Sequence, residues 1–325
     1  MSKKTIFLTG AGGSSAIYLI RLLSKKYRII TFDANKYAAG LYLADKSYIA
    51  PLCTSKNYLE KLDKIIKKEK VDIIIPGIDE ELLSVKQYFK NVDSPKVLLP
   101  EENFIKLCLD KWELMNALDK NKIPCPKTYL LGSFKKVPLK LFPCIVKPIT
   151  GRGSRGFQYL KNNKDLEFYL SSNPYKKKDL LLQEFVEGTE YTISVVVSQK
   201  GKVLSVVPKE VILKKGITQI AVTRFNKKIV ETCKKIQEMF KANGPFNVQL
   251  IIDKKNNVPK IFEINPRFST TLVLTTAAGV NEVGLLIGDL LGEKIFAPKF
   301  KKNLVMIRYP EQIYIDEKNI KKDGL

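Results

Sequence analysis

At 325 residues, 45% hydrophobic and 27% charged, the chain has the make-up of a soluble globular protein large enough for two or three packed units. It contains no histidine, which excludes Ser-His-Asp and Cys-His centres, histidine-ligated zinc and any imidazole acid or base. The net charge of +23 suggests nucleic acid, but only seven of the 56 basic residues are arginine, the lysines are spread along the chain and no aromatic-interleaved basic motif occurs, so the make-up argues against sequence-specific nucleic-acid binding.

The first hundred residues alternate strands and helices. Thr5 to Thr9 reads as a buried strand and not as a signal peptide, because its apolar part is short and runs straight into the glycine turn Gly10-Ala11-Gly12-Gly13-Ser14-Ser15. A helix follows, with an apolar stripe at Ile17, Leu19, Ile20, Leu22 and Leu23. Strand Arg28 to Phe32 ends at Asp33. Tyr58 to Lys68 reads as a helix, Val71 to Ile75 as a strand closed by Pro76-Gly77, Glu80 to Phe89 as a helix and Lys96 to Leu99 as a strand. This alternation predicts a doubly wound parallel sheet. A helix over Asp110 to Asn121 ends before Pro124-Cys125-Pro126. From about residue 127 the pattern predicts a small α+β unit of short strands with little helix between them: 128–130, 144–148, 157–160 and 180–186. Tyr191 to Val197 and Lys202 to Val207 form a hairpin around Gln199-Lys200-Gly201. Lys227 to Lys241 has a 3.6-residue period (Ile229, Cys233, Ile236, Phe240). Asn247 to Asp253 and Pro259 to Ile264 form a second hairpin turned by Asn256-Asn257. A helix over Val283 to Leu291 and a strand over Leu304 to Tyr309 follow. No run approaches the roughly 18 apolar residues of a membrane span. Five scattered cysteines without a Cys-x-x-Cys pair suit reduced thiols in a cytoplasm.

The late hairpin carries the sharpest chemistry. Two-residue alternation puts Glu263 and Asn265 on one face, with Gln249 opposite them, and Arg267 follows at once. Three oxygen ligands suit Mg²⁺, which leaves the rest of its shell to water and phosphate. An arginine there suits the charge that builds on a transferring phosphoryl group. A second element, Lys147-Pro148-Ile149-Thr150-Gly151-Arg152-Gly153-Ser154-Arg155-Gly156, joins two strands as a flap whose backbone N–H groups can fold over phosphates. A third, from Leu181 to Glu190, leads from a strand into a hinge that can present backbone groups to an adenine edge, with an acid a few residues on for ribose hydroxyls. The opening glycine turn with Asp33 resembles a dinucleotide fingerprint, but Ser15 stands at its third glycine position. A Tyr-x-x-x-Lys pattern, Tyr42 to Lys46, comes too early for a short-chain reductase. No P-loop motif is present.

Taken in order, Lys111 on a helix, Lys147 with its flap, the hinge Glu184-Phe185-Val186-Glu187-Gly188-Thr189-Glu190, Gln249, and Glu263-Ile264-Asn265-Pro266-Arg267 resemble the ATP-grasp superfamily over nearly the whole chain, and within it most closely the synthetase modules of the carbamoyl-phosphate synthase large chain. The resemblance implies an N-terminal doubly wound parallel α/β (pre-ATP-grasp) domain at 1–104, followed by a two-lobed ATP-grasp α+β domain. Its small lobe, with the glycine-rich flap, would span 105–184, and its large lobe, with the metal-binding hairpin, 185–325. It also implies site roles. Lys111 and Lys147 take nucleotide phosphates, covered by Gly151, Gly153 and Ser154. Glu184, Phe185 and Val186 meet adenine, and Glu190 meets ribose. Gln249, Glu263 and Asn265 hold Mg²⁺ or Mn²⁺, and Arg267, with Lys147, serves the phosphoryl transfer. The synthetase modules carry arginines at the positions of Lys111 and Lys147, an acid in many other members at Gln249, and a histidine that has no counterpart near Gly216-Ile217-Thr218. Lys209, Lys215 and Arg224 are the candidates for that missing charge.

The implied function is an ATP- and Mg-dependent carboxylate–amine ligase that activates a small-molecule carboxylate as an acyl phosphate for attack by an amine or other nucleophile. A homo-oligomer is compatible with this reading, and Ser14, Asp33, Asp79 and Glu80 are candidates for contact with the acceptor. The alternatives are an NAD-dependent reductase or epimerase using the first glycine turn, and a non-catalytic nucleotide- or polyanion-binding protein using the +23 charge.

Overall fold

The computed structural model describes residues 3–151, 153 and 155–321. Strands β1 (Thr5–Thr9), β2 (Arg28–Asp33), β3 (Lys46–Ile49), β4 (Ile73–Ile75) and β5 (Lys96–Val97) form a parallel sheet in the order β3-β2-β1-β4-β5. Every residue of β1 is buried, as expected for a parallel strand covered on both faces. Helices α1 (Ala16–Leu23), α2 (Tyr58–Glu69) and α3 (Leu82–Tyr88) supply the connections. On one face Phe7, Ile30 and Phe32 pack against Leu62, Ile65 and Val85 of α2 and α3. The strand order reverses between β1 and β4, so the turns after these two strands meet. A Cβ on Gly10 would lie 3.0 Å from Ile78 Cγ1, and one on Gly77 2.7 Å from the Thr9 carbonyl oxygen. Such a switch point, at the carboxyl ends of parallel strands, is where open α/β sheets bind ligands.

Strand β3 is a correction to the sequence reading, which passed over it because its first residues are polar and open to solvent. The Tyr-x-x-x-Lys pattern dissolves here. Tyr42 lies in a 3₁₀ turn with its hydroxyl donated to the Lys36 carbonyl at 2.5 Å, and Lys46 pairs with Glu69 at 2.7 Å.

Helices α4 (Glu102–Leu109) and α5 (Lys111–Lys120) come next. Asp110 separates them and caps α5, its Oδ1 accepting from the N–H groups of Trp112 (2.9 Å) and Glu113 (3.0 Å). Only α5 is expected from sequence. Strands β6 (Thr128–Leu130), β7 (Cys144–Pro148), β8 (Gln158–Leu160) and β9 (Leu180–Glu184) form a second, antiparallel sheet in the order β6-β9-β7-β8. Helix α6 (Asn163–Ser172) covers it, where the sequence reading expected little helix. Its buried side chains are Leu166 and Tyr169, too narrow a stripe to stand out, and the start signal is the Asn162 cap, which accepts from Asp165 N–H at 3.1 Å.

The third sheet is antiparallel, in the order β14-β13-β10-β11-β12-β15. Its strands are β10 (Gly188–Val197), β11 (Val203–Lys215), β12 (Ile217–Thr223), β13 (Gly244–Asp253), β14 (Pro259–Asn265) and β15 (Val305–Ile307). Helices α7 (Lys227–Phe240), α8 (Leu272–Ala277) and α9 (Glu282–Leu290) accompany it. Ile193, Val195 and Val197 of β10 pack with Leu114 and Leu118 of α5 and with Ile229, Cys233 and Ile236 of α7. Val196 and Leu204 face the other way, into a core shared by Phe268, Leu272, Val283 and Leu286 with Leu8, Ile73 and Ile75 of the parallel sheet. That shared core fixes the ends of the parallel strands against the segment that follows β14.

Candidate active site

In the hairpin β13–β14 Gln249 pairs with Glu263, and Asn247 with Asn265, so Gln249 lies opposite the carboxylate as expected. A register shift after Gln249 takes the next pairing to Leu250 and Ile261 and leaves Phe262 unopposed. The Phe262 carbonyl accepts instead from Lys147 Nζ at 3.2 Å. Among the described residues no group of three or more His, Cys, Asp and Glu could hold a metal ion. The donors available are one carboxylate, Glu263, and the amides Gln249 and Asn265. They are hard oxygens, of the kind that suits Mg²⁺ or Mn²⁺.

Lys147 stands at the end of β7 with its ammonium buried, donating to Gln183 Oε1 at 2.9 Å as well as to Phe262. Burial pushes its pKa down to about 8. Glu263 opposes that shift, and the neighbouring ammoniums of Lys111 and Lys214 add to it. Lys111, in the first turn of α5, is tied to the flap twice: its backbone N–H meets the Ile149 carbonyl at 3.1 Å, and its Nζ meets the Gly151 carbonyl at 2.7 Å. Its Nζ also lies 3.9 Å from Glu263 Oε1. Gly151, Gly153 and Gly156 of the flap all have positive φ. Gly151 has φ +114°, and Gly156 (φ +68°) lies where a Cβ would come within 2.5 Å of the Tyr175 ring. Gly153 is exposed, while Ser154 and Arg152 lie outside the described residues.

The second and third sheets enclose a cleft of about 390 Å³. Lys111, Lys147, Gly151, Glu184, Phe185, Val186, Glu190 and Glu263 all line it. The hinge end is apolar: Phe185 packs edge-on against Tyr159 with ring centroids 4.8 Å apart, and Val186 is buried. Glu184 is held by Lys260 Nζ (2.8 Å) and by Lys127 N–H (3.0 Å). Gln249, Asn265, Arg267 and Gly153 are not part of this lining.

The sequence reading missed Lys214, which lines the cleft and donates to Glu190 Oε1 (2.6 Å) and Gln249 Oε1 (3.1 Å). None of the three cations it did name lines the cleft. Lys209 is fully buried, donating to Ser194 Oγ (2.5 Å) and Thr275 Oγ1 (2.8 Å). Arg224 pairs with Glu210 at 2.8 Å, and Lys215 is exposed. The cause is backbone irregularity. Regular alternation from Lys209 would put Lys215 on the face of Thr192 and Glu190, but register shifts between Val211 and Lys214 reverse the parity and turn Lys214 inward. No local sequence signal marks these shifts.

Arg267 donates through Nε and Nη2 to the Asp79 carboxylate, and through Nη1 to the Phe268 carbonyl at 3.0 Å. Asp79 hangs from a loop fixed by Glu81. Fully buried, Glu81 accepts from the hydroxyls of Thr9 and Tyr58 and from the N–H groups of Gly77 and Ile78, both at 3.1 Å. The first glycine turn is closed by its own acid: Asp33 Oδ2 accepts the Gly12 N–H at 2.7 Å. That amide is therefore not free for a dinucleotide pyrophosphate, which weakens the nicotinamide reading.

Residues 176–312 match a family described as "ATP-grasp in the biosynthetic pathway with Ter operon", and residues 6–97 match "PylC-like, N-terminal domain". A formate-dependent phosphoribosylglycinamide formyltransferase of Bacteroides fragilis is 22% identical over 307 residues, covering 89% of this chain and 77% of the relative. A carbamoyl phosphate synthase large chain of Clostridium botulinum is 26% identical over 302 residues, covering 86% of this chain but only 27% of the relative. Among solved structures, the ADP complex of an N5-carboxyaminoimidazole ribonucleotide synthetase superposes with a TM-score of 0.77 at 18% identity, covering 94% of this chain and 83% of that one. An L-amino acid ligase from Bacillus licheniformis superposes with a TM-score of 0.70 at 16% identity, covering 90% and 75%.

Proposed function

We propose that this chain, a member of the ATP-grasp superfamily, is an ATP- and Mg-dependent ligase that phosphorylates a small-molecule carboxylate and passes the acyl group to an amine or other nucleophile. The observation that carries this reading is the contact of Lys147 with the Phe262 carbonyl, which sets an ammonium from the second sheet beside the acid-bearing strand of the third, across one cleft.

The roles follow from chemistry. Phe185 and Val186 offer an apolar seat and backbone groups to adenine, and Glu190 accepts from ribose hydroxyls. Lys111, Lys147 and the flap from Gly151 through Gly153 to Ser154 neutralise and cover the phosphates. Glu263 and Asn265, with Gln249 beside them, hold the metal ion, which when bound neutralises phosphate charge. Arg267, aligned by Asp79, meets the charge that grows on the transferred phosphoryl group. A carboxylate attacking ATP needs no strong base, so the absence of histidine is no obstacle. The ordering of reactants and the placing of charge supply the rate enhancement.

The unit boundaries that fit this reading fall near residues 104 and 184. The site of action is the cytoplasm, supported by five free cysteines and by the absence, among the described residues, of any helix long and apolar enough to cross a membrane. Its partners are small molecules.

Phosphate release from Mg-ATP, measured across a panel of amino acids and dipeptides, tests the reaction. Glu263→Gln removes the one carboxylate of the metal set and is expected to raise the Mg²⁺ concentration for half-maximal release by about tenfold or more. An unchanged Mg²⁺ titration in that variant would remove Glu263 from the metal site.

A further inference from the structure

Arginine is scarce in this chain, seven of its 56 basic residues, and most of the described arginines face an acid. Arg21, Arg28, Arg224 and Arg267 pair with Glu311, Glu69, Glu210 and Asp79. Arg155 belongs to the flap and lines the nucleotide cleft. Arg308, the residue after β15, differs from all of these. It is half-buried, and among the described residues its guanidinium meets backbone carbonyls and no carboxylate. Nε donates to Thr218 at 3.2 Å, Nη2 to Thr270 at 3.0 Å and Nη1 to Ser14 at 3.5 Å. Burial pushes its pKa down, and no neighbouring acid opposes that shift. Neutral carbonyls do not cancel a unit charge, and three bonds leave two of the five guanidinium N–H groups. A cation drawn out of water in this way is stabilised by an anion that brings its own charge.

The three carbonyls define where that anion would lie. Ser14 belongs to the glycine turn after β1, at the switch point of the parallel sheet. Thr218 follows the turn of the β11–β12 hairpin, whose Gly216 lines the nucleotide cleft. Thr270 comes three residues after Arg267, at most about 11 Å of chain. Arg308 therefore stands where the cleft meets the switch point, a small molecule's length from the segment that carries Arg267. Its planar fork holds the three carbonyls and still offers donors in the geometry that matches a carboxylate or a phosphate.

We propose that Arg308 is a specificity-determining residue that binds an anionic group of a small-molecule substrate, a carboxylate or a phosphate, separate from the carboxylate that is phosphorylated. The proposal rests on the ligase reading above and names a charge that one of its substrates carries.

Selective ¹⁵N labelling of arginine gives at most seven Nε–H signals, and the one missing from Arg308→Lys identifies Arg308. The wild type is saturated with Mg²⁺ and the non-hydrolysable analogue AMP-PNP, to occupy the cations of the cleft. It is then titrated with malonate or with inorganic phosphate at constant ionic strength. The Arg308 signal is expected to shift and saturate, and the tighter of the two anions tells a carboxylate from a phosphate. In phosphate-release assays on the active members of the substrate panel, Arg308→Gln is expected to raise the half-saturating concentration of one substrate by about tenfold to a hundredfold and to leave that of ATP unchanged. Arg308→Lys, which keeps the charge, is expected to recover part of the loss. Replacing the substrate's spare anionic group by a neutral amide or alcohol is expected to cost the wild type the same factor and Arg308→Gln nothing more. No saturable shift at Arg308 with either anion overturns the proposal, as does a shift shared equally with the surface residue Arg21. An equal penalty for charged and neutral substrates in Arg308→Gln overturns it too, because that marks a structural role. Failure of every panel member to release phosphate overturns the ligase reading instead, while the anion titration still decides on Arg308.

Discussion

Arg267→Ala is expected to lower acceptor-dependent phosphate release by about 10³-fold while changing AMP-PNP affinity little, because the guanidinium serves charge that exists only as the phosphoryl group moves. The structure adds a complication. Arg267 is also the partner of Asp79, whose carboxylate is nearly buried and hangs from the 3₁₀ turn after β4. Removing one member of a buried pair strands the other and costs about 3–5 kcal/mol of stability. The double variant Arg267→Met/Asp79→Asn removes both charges. It is expected to melt closer to the wild type than Arg267→Ala does and to remain inactive. Asp79→Asn alone keeps the cation but removes its buried counter-charge, so a lower melting temperature accompanies a loss of roughly tenfold to a hundredfold in turnover. Steady-state phosphate release, paired with thermal melts, checks all three. Turnover near wild type in Arg267→Ala would remove the residue from the chemistry.

The second large effect is at Lys147. Lys147→Met is expected to weaken AMP-PNP binding by about 10²-fold, the loss of a charge-assisted contact to phosphate. The variant is expected to melt no lower than the wild type, because a buried ammonium gives way to an apolar side chain. The pH dependence separates this lysine from its neighbours. Burial holds its folded-state pKa near 8, below the ordinary 10.5, so between those values the unfolded chain binds more protons than the folded one. Stability of the free protein therefore rises with pH through that window. Nucleotide binding runs the other way. Phosphate favours the ammonium form, so above about pH 8 binding must take up a proton, and affinity falls by up to about tenfold per pH unit. Below that pH it is flat. Isothermal titration at several pH values reads both parts, and the slope is expected to vanish in Lys147→Met.

Much of this arrangement was legible in the sequence for local reasons. Two-residue alternation put Glu263 and Asn265 on one face with Gln249 available opposite them, and the register that pairs Gln249 with Glu263 came from the structure. The alternation of apolar strands and helices in the first hundred residues identified the parallel sheet. Lys111 was placed on the helix read over Asp110 to Asn121, and the structure shows Asp110 as its cap. The parts that were not legible depend on long-range contact or on broken periodicity. The partner of Arg267 lies 188 residues away, in a loop held by a buried glutamate. Lys214 enters the cleft through a register shift that no residue pattern announces. Helix α6 buries too narrow a face to show a stripe. Strand β3 begins with residues open to solvent. The glycine turn resembled a dinucleotide site because motif spacing does not record that Asp33 bonds back to Gly12.

A crystal structure with AMP-PNP and Mg²⁺ is the most direct test of the central claim that one nucleotide lies between the second and third sheets. The account predicts adenine beside Phe185 and Val186, with the terminal phosphate between Lys147 and Glu263. Density on the turn from Gly10 to Gly13, or an empty cleft at saturating nucleotide, would contradict it.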